Sequence, residues 1–306
     1  MRAPGQLTCQ KVSSAGPRLR ASGGFSPVNI CAVSSDNFDD VRRDPDPIRR
    51  GRRATELLTS YQQRAAELAR LRRAAIEDAH RELGMSYTQI AAAMGITKGR
   101  ISQIRATAPA RERAFFGTGP VSVGVPYRYR VTDRRRPLIA AEDAKTGEHI
   151  TRLLVGYALA VTTYQIEPDT AAPPPGDTVV ICGPKSAPVG AALLARDGAL
   201  SVRQDAGRWW IVQRGGGERY GSPADDPEPA DADLAYVGRH QYGDHVAVHI
   251  AGIHAIGSLG AVHYLTGHLA ALFGQAGDAS FSLVIRASYD GLAITHSSLV
   301  AGPFPW

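Results

Sequence analysis

Cysteines, aromatic residues and long apolar runs are all scarce in this chain of 306 residues. The three cysteines, Cys9, Cys31 and Cys182, lie far apart without metal-ligand spacing, which excludes a disulfide framework and a zinc ribbon. Aromatic residues make up only 7% of the chain. No segment approaches the roughly 18 consecutive apolar residues of a membrane span. We therefore predict a protein of the reducing cytoplasm, without a membrane segment.

Hydrophobic residues (43%) and charged residues (21%) are present in globular proportions, and the length is sufficient for two domains. Residues 1–40 are rich in Ser, Gly, Pro and Arg without apolar periodicity, so we predict a disordered tail there. Residues 40–136 carry 21 basic and 10 acidic side chains, whereas residues 137–306 carry 10 basic and 17 acidic ones. Only the basic segment is therefore expected to meet a polyanion.

A long amphipathic helix is predicted from about Arg52 to Leu83. Its apolar positions recur at steps of three, four and seven, which places them on one helical face. They are Leu57, Tyr61, Ala65, Leu68, Ala75, Ala79 and Leu83. Such a helix extends about 48 Å, more than a compact three-helix domain needs. The surplus either forms a coiled coil with a second copy, giving a homodimer, or bends into two helices.

The stretch from Tyr87 to Arg105 has the pattern of two short helices joined by a tight turn. Ala91 is small where the two helices touch, and Gly95 stands where the turn needs a positive φ. Thr97 is a suitable N-cap for the second helix. Five apolar residues are expected to converge on one small core: Ile90, Met94, Ile96, Ile101 and Ile104.

This pattern, YTQIAAAMGITKGRISQI, resembles the helix-turn-helix of sigma-factor region four over roughly residues 70–108. The resemblance implies that residues 97–105 form a recognition helix for double-stranded DNA. Gln103 can pair with adenine, while Lys98 and Arg100 can pair with guanine or phosphate. The residues expected to contact DNA are Thr97, Lys98, Gly99, Arg100, Ser102, Gln103 and Arg105. A three-helix unit that contacts only protein is the alternative.

After Pro109 short strands alternate with helices, which predicts an α/β fold with a mostly parallel, Rossmann-like sheet. The expected strands are Val121–Val131, Leu159–Ile166, Thr178–Cys182, Val246–Ile250, Phe281–Ala287 and Leu292–Ile294. A hairpin is expected between Leu200 and Val212, and an acidic, proline-rich loop at residues 222–233.

Three segments are therefore predicted. Residues 1–40 are the tail, residues 41–110 a helical DNA-binding module with the helix-turn-helix at 87–106, and residues 111–306 an α/β ligand-sensing domain. The last of these resembles, in architecture, the Rossmann-like ligand-binding domains that follow bacterial DNA-binding modules.

Two strand–loop–helix units carry the candidate ligand site. In each, a buried strand runs into a glycine loop at a helix N-terminus, where backbone N–H groups and the helix dipole favour an anion. If the two strands are neighbours, both loops line one crevice. The predicted ligand-binding residues are Gly183, Pro184, Lys185, Ser186, Gly252, His254, Gly257 and Ser258. A small anionic effector, with nucleotides among the candidates, is expected there; glycines that serve turn geometry alone are the alternative.

Catalytic and metal-binding motifs are not evident. Gly252 to Ser258 has nearly the P-loop spacing, but Ser258 stands where a P-loop has its lysine, so hydrolysis of a nucleoside triphosphate is not expected. Seven of the nine histidines lie in the last 67 residues, but they lack the spacing of a metal site, so no metal site is predicted.

Three functions remain open on the sequence. The first is a ligand-responsive transcription regulator that binds DNA as a dimer. The second is a nucleoside- or nucleotide-processing hydrolase or transferase, with His254, Asp225, Asp226 and Lys185 as its candidate groups. The third is a defence or signalling adaptor whose helices contact protein.

Overall fold

The computed structural model describes residues 38–131 and 135–306, and the predicted tail lies almost entirely outside these residues. Four helices come first: α1 (Phe38–Arg43), α2 (Pro47–Glu82), α3 (Tyr87–Ala93) and α4 (Lys98–Thr107). The side chain of Asp46 accepts from the backbone N–H groups of Ile48 and Arg49, and Pro47 stands at the first helical position. With this start α2 runs unbroken for 36 residues, so the alternative of a bend into two helices is wrong.

Two of the three buried residues of α2 are polar, although an apolar face was predicted, and the third is Ile76. Gln63 and Arg70 are buried, whereas Tyr61, Leu68 and Leu83 are 48%, 67% and 71% exposed. The reason is Arg113, a fully buried residue of the 3-10 turn Arg111–Phe116. Its guanidinium donates to Gln63 Oε1 at 2.7 Å and forms an ion pair with Glu67 at 3.4 Å. A buried cation needs such partners, and α2 supplies them.

Twelve strands and three further helices follow in the described residues. They are β1 (Val121–Pro126), β2 (Arg128–Val131), β3 (Arg135–Leu138), α5 (Ala141–Gly156), β4 (Val161–Ile166), β5 (Asp177–Ile181), α6 (Pro188–Arg196), β6 (Leu200–Asp205), β7 (Arg208–Gln213), β8 (Arg219–Gly221), β9 (Ala232–Tyr242), β10 (His245–Gly252), α7 (Ala255–Ala276), β11 (Phe281–Asp290) and β12 (Ala293–Pro305). Seven strands form the main sheet in the order β12-β11-β9-β10-β5-β1-β4. The domain is therefore an α/β domain.

The main sheet is mixed, so the prediction of a mostly parallel sheet is wrong for one half of it. β4, β1, β5 and β10 are parallel, but β9 pairs antiparallel with both β10 and β11, and β11 pairs antiparallel with β12. A short turn containing Gly243 at φ 57° joins β9 to β10, and strands joined so closely must be antiparallel. No strand was predicted for residues 234–242.

The sheet is covered on both faces, which explains its continuous apolar strands. Alternate residues of β5 point to opposite sides: Val179 and Ile181 pack against α5 and α7, while Val180 packs against α6. The small sheet β6-β7-β8 extends the second layer, where Leu200 and Ile211 lie in one apolar cluster with Leu234 of β9. Strands buried on both faces do not alternate apolar with polar residues.

Helix α7 is the described helix that is long and apolar enough to cross a membrane by length and composition. Within the protein, 67% of its most apolar window is buried. Val262, Leu265 and Leu269 lie in the main core between α7 and the sheet. Packing in this core therefore accounts for the apolar character of α7.

Two buried histidines, His240 of β9 and His249 of β10, lie in a cluster with Tyr236. The ring centroids of the two histidines are 6.2 Å apart, and His249 Nε2 lies 2.6 Å from the carbonyl oxygen of Cys182. Burial lowers the pKa of His240 to about 3 and that of His249 to about 4. Both imidazoles are therefore neutral in the folded protein at physiological pH.

We expect the folded protein to lose stability relative to a His249→Phe variant as the pH falls below about 6.5. The unfolded chain takes up this proton near its usual pKa, whereas the buried imidazole resists protonation until about pH 4. The difference between the two unfolding free energies should therefore change by about 1.4 kcal/mol per pH unit in that window. Urea unfolding of both proteins at pH 7.5, 6 and 5 measures it; a constant difference would contradict the prediction.

Candidate functional site

Helices α3 and α4 are joined by a tight turn and pack with the end of α2. The Ser86 hydroxyl accepts from the backbone N–H of Gln89, whose side chain accepts from the backbone N–H of Ser86, so α3 begins with a capping box. Gly95 has φ 65° in the turn, as predicted. Thr97 caps α4 by accepting from the backbone N–H of Arg100 at 3.1 Å. The local sequence thus specifies both helix starts.

The core of this three-helix unit differs from the prediction in two residues. Ile90, Ile101 and Ile104 are buried, and Ile96 packs against them. Met94 was also expected in the core but is 40% exposed at the C-cap of α3. Its place is taken by Ile76 of α2, which is fully buried.

The seven residues for which we predict DNA contact are all exposed. Ile101 and Ile104 turn into the core at 1% and 2% exposure, so the remaining positions of α4 face solvent. Arg100 donates to the side chain of Gln103 at 2.6 Å, and Arg105 lies over the ring of Tyr87 at 4.5 Å. No acidic residue occurs between positions 87 and 107. The result is a solvent-facing cationic surface on a short, well-capped helix.

A second candidate site lies where three parallel strands end. β5 is hydrogen-bonded to β1 on one side and to β10 on the other. The chain leaves β1 through α5 on one face of the sheet and leaves β5 through α6 on the opposite face. In open α/β sheets such a divergence of neighbouring strands opens a crevice for ligands at their carboxyl ends.

Both predicted loops line this crevice, as expected for neighbouring strands. The first contributes Gly183, Lys185 and Ser186, and the second contributes Gly252 and Ser258. Pro184, His254 and Gly257 belong to the same loops but do not line the crevice. The ligand-binding role of all eight residues stays a prediction.

Two charged residues in the crevice were missed in the sequence. Arg128 begins β2, two residues after the end of β1, and Asp143 lies in the first turn of α5. Burial raises the pKa of Asp143 to about 6, although Arg128 and Lys185 oppose the rise. Partial burial and the charge of Arg128 lower the pKa of Lys185. The signal that could have found Arg128 is its position just beyond the end of a buried strand.

The N-terminus of α7 already holds a carboxylate of the protein. Asp233 Oδ2 accepts from the backbone N–H groups of His254 and Gly257, each at 2.9 Å, and Asp233 is fully buried. The hydroxyl of Ser258 accepts from the backbone N–H of Gly252 at 2.9 Å. These amides are therefore engaged within the protein, and an anion in the crevice would rely on Arg128 and Lys185 instead.

We expect a Gly257→Ala variant to be destabilised by about 1–3 kcal/mol, because an added methyl group overpacks a dense site. A Cβ at this position would collide with Asp233 Oδ2 and would lie 2.6 Å from the carbonyl oxygen of Leu234. Gly267 of the same helix has no atom within 4 Å of an added Cβ, so Gly267→Ala should stabilise α7 by about 0.5–1 kcal/mol. Thermal unfolding of both variants measures the contrast; equal stabilities would contradict it.

The candidate catalytic groups are only partly brought together. His254 Nε2 lies 2.8 Å from Asp225 Oδ1, and both side chains are partly exposed. Asp226 instead forms an ion pair with Arg208 at 2.7 Å. Lys185 donates its Nζ–H to the backbone carbonyl of Ile253 and thereby connects the two loops. Among the described residues no group of three or more His, Cys, Asp or Glu is arranged to hold a metal ion.

Comparison with known proteins assigns neither a family nor a function to this chain. The chain matches no protein-family model, no curated protein and no solved structure.

Proposed function

We propose that this protein is a cytoplasmic, DNA-binding transcription regulator whose α/β domain senses a small anionic ligand. The observation that carries the proposal is the surface of α4. In this proposal α3 and α4 form a helix-turn-helix, and α4 is the recognition helix. Lys98, Arg100 and Gln103 are exposed on it, whereas Ile101 and Ile104 hold it to the unit.

The chemistry of α4 suits the major groove of DNA. Its N-terminal N–H groups and the cation Lys98 favour a phosphate at the start of the helix. Arg100 can donate two hydrogen bonds to guanine, and Gln103 can pair with adenine. In the free protein these two side chains bond to each other, so neither is left without a partner before DNA arrives. The absence of nearby acidic residues in the sequence removes repulsion with the duplex.

The salt dependence of DNA affinity tests this function. We expect the logarithm of the association constant to fall linearly with the logarithm of salt concentration, by roughly 0.9 for each phosphate that is neutralised. Fluorescence anisotropy with a labelled duplex of mixed sequence, from 50 to 300 mM KCl, measures the slope. An affinity that stays flat over this range would overturn DNA binding and favour an adaptor that contacts protein.

Ligand sensing rests on the crevice at the ends of β1, β5 and β10. Arg128 and Lys185 supply two cations there, and the neutral Cys182 thiol, whose pKa burial raises to about 11, supplies apolar lining. Any ligand regulates DNA binding only if its affinity differs between the DNA-bound and free states.

Thermal unfolding with nucleotides, nucleosides and phosphorylated metabolites tests the ligand. A ligand at 100 times its dissociation constant stabilises the folded state by about 2.7 kcal/mol. This shift should disappear in Lys185→Ala and persist in Lys145→Ala, which removes an exposed lysine of α5 outside the crevice. No shift with any of these compounds would overturn this class of ligand.

A second candidate function is hydrolysis or group transfer on a nucleoside or nucleotide. The pair of His254 and Asp225 favours it, because a carboxylate can orient an imidazole that acts as a general base. Turnover of a compound that is lost in His254→Ala, with an unchanged melting temperature, would support this function. Asp226→Asn is the matched control, since Asp226 lies in a separate ion pair with Arg208.

A further inference from the structure

We propose that α2 forms an antiparallel coiled coil with α2 of a second copy of this chain, centred on Gln63. This inference adds a partner to the proposed regulator. It depends on the surface of α2 and is tested separately from DNA binding.

A stripe of mostly apolar residues on α2, which we call the α2 seam, faces solvent. Its members alternate at steps of three and four, the spacing of a coiled-coil interface. They are Gly51, Ala54, Leu58, Tyr61, Ala65, Leu68, Arg72 and Ala75, and all are exposed. Leu58, Tyr61 and Leu68 are 57%, 48% and 67% exposed, a large apolar surface for one helix. Seven of the eight residues are uncharged; Arg72 is the exception.

The opposite side of α2 is fixed to the protein's own α/β domain. Gln63 and Arg70 occupy the position of the repeat that lies farthest from the seam, and both are buried. Gln63 Nε2 donates to the carbonyl oxygen of Ala158 at 3.3 Å, and Gln63 Oε1 accepts from Arg113. The α2 seam therefore points away from the domain, where a second helix has access to it.

The occupant is a second copy because the seam complements itself when the two helices run in opposite directions. If residue numbers of facing positions add to 126, every seam position meets another seam position. Leu58 then meets Leu68 of the second copy, and Tyr61 meets the small Ala65. Gly51 meets Ala75. Large residues thus face small ones at the centre, and two leucine pairs flank it.

The charges favour the antiparallel direction over the parallel one. A parallel pair would place Arg72 against Arg72 inside the interface, where neither cation could reach water. The antiparallel pair places Arg72 beside Ala54 and brings the acidic Asp78 near Arg50. Its one like-charged contact, between the two Arg64 side chains, lies at the solvent-exposed flank. Long arginine side chains at a flank can turn outward to water.

Neighbouring surface extends the interface beyond the seam. Leu71, 47% exposed, would face Leu57 of the second copy. A groove lined by Phe38, Val41, Pro47, Gly51 and Ala54, together with Arg42 and Arg50, continues the seam at its N-terminal end. The paired segments would span residues 47–79, about 50 Å of helix. This length is well above the roughly 12–15 residues below which a single helix is marginal.

Disulfide trapping distinguishes the two directions. In a background with Cys9 and Cys31 replaced by serine, Leu58→Cys and Leu68→Cys are each oxidised alone and as a 1:1 mixture. The antiparallel pair places each cysteine about 15 Å from its own copy, too far for a disulfide, and places position 58 beside position 68. We expect crosslinked dimer only in the mixture. Crosslinking of either variant alone, or no crosslinking at all, would overturn the proposal.

Sedimentation equilibrium gives an independent measurement. The double variant Leu58→Glu/Leu68→Glu should dimerise at least 100-fold more weakly than the wild type, since it buries four like charges in the pair. Val155→Glu is the control, because Val155 is 60% exposed on α5 and is not a residue of the seam. A wild-type protein that is monomeric at 100 μM would overturn the dimer. If such a monomer still binds DNA with the expected salt dependence, the proposed function stands and only this inference fails.

Discussion

Replacing Lys98 and Arg100 together by alanine is expected to lower the affinity for duplex DNA by about 30-fold or more. Each contact to phosphate or base is worth roughly 1–3 kcal/mol, so two contacts give at least this factor. The slope of affinity against salt should also decrease by about 1, because Lys98 is the one of the two residues that is assigned to a phosphate. Both residues are exposed on α4, so the substitutions should leave the melting temperature nearly unchanged.

The matched control for this variant removes the same charge elsewhere. Lys145 and Arg152 are exposed on α5 of the α/β domain, and Lys145→Ala/Arg152→Ala lowers the net charge by the same two units. If the effect on DNA binding came from net charge alone, both double variants would weaken binding equally. Equal affinities of the two variants would therefore contradict a recognition role for α4.

Replacing Arg239 by methionine is expected to destabilise the protein by about 3–5 kcal/mol, the largest effect we expect on stability. Arg239 is 2% exposed and donates to backbone carbonyls of two separate segments. Phe115 and Ala114 accept at 3.1 and 3.2 Å before β1, and Asp278 and Ala279 accept after α7. Methionine fills the space of the apolar stem but leaves these carbonyls without donors.

The control for Arg239 lies on the neighbouring strand. Arg286 is exposed on β11, so Arg286→Met should change the unfolding free energy by less than about 0.5 kcal/mol. Urea unfolding of both variants at pH 7.5 measures the difference. An Arg239→Met protein as stable as the Arg286→Met protein would show that the buried hydrogen bonds contribute little.

The parts of the fold that local sequence determines were predictable. Gly95, Thr97 and the isoleucines of α4 lie as their spacing predicted, because turn geometry, capping and helical periodicity act over a few residues. That β5 and β10 are neighbours was stated only as the condition for a shared crevice, and the structure confirms that the two strands are paired. Strand order depends on contacts between distant segments, which a single sequence does not display.

The misassigned parts depend on contacts with segments that are distant in the sequence. Gln63 is buried on α2 because Arg113, 50 positions later, donates to it. Position 257 requires glycine because Asp233 occupies the space that a Cβ would need. The segment that became β9 was not recognised because both of its faces are covered, so that it does not alternate apolar with polar residues.

Because α2 is unbroken, a small tilt of this helix would produce a larger displacement at its end. The helix is held near its middle by Gln63 and Glu67, and Ile76 near its end carries the core of the α3–α4 unit. Some ten to fifteen residues separate this anchored middle part from the C-terminal end of α2, a distance of about 15–22 Å. A tilt of about 10° there would displace α4 by about 3–4 Å, comparable with the rise of one base pair. A rearrangement in the α/β domain too small to alter its own packing would thus be magnified at α4.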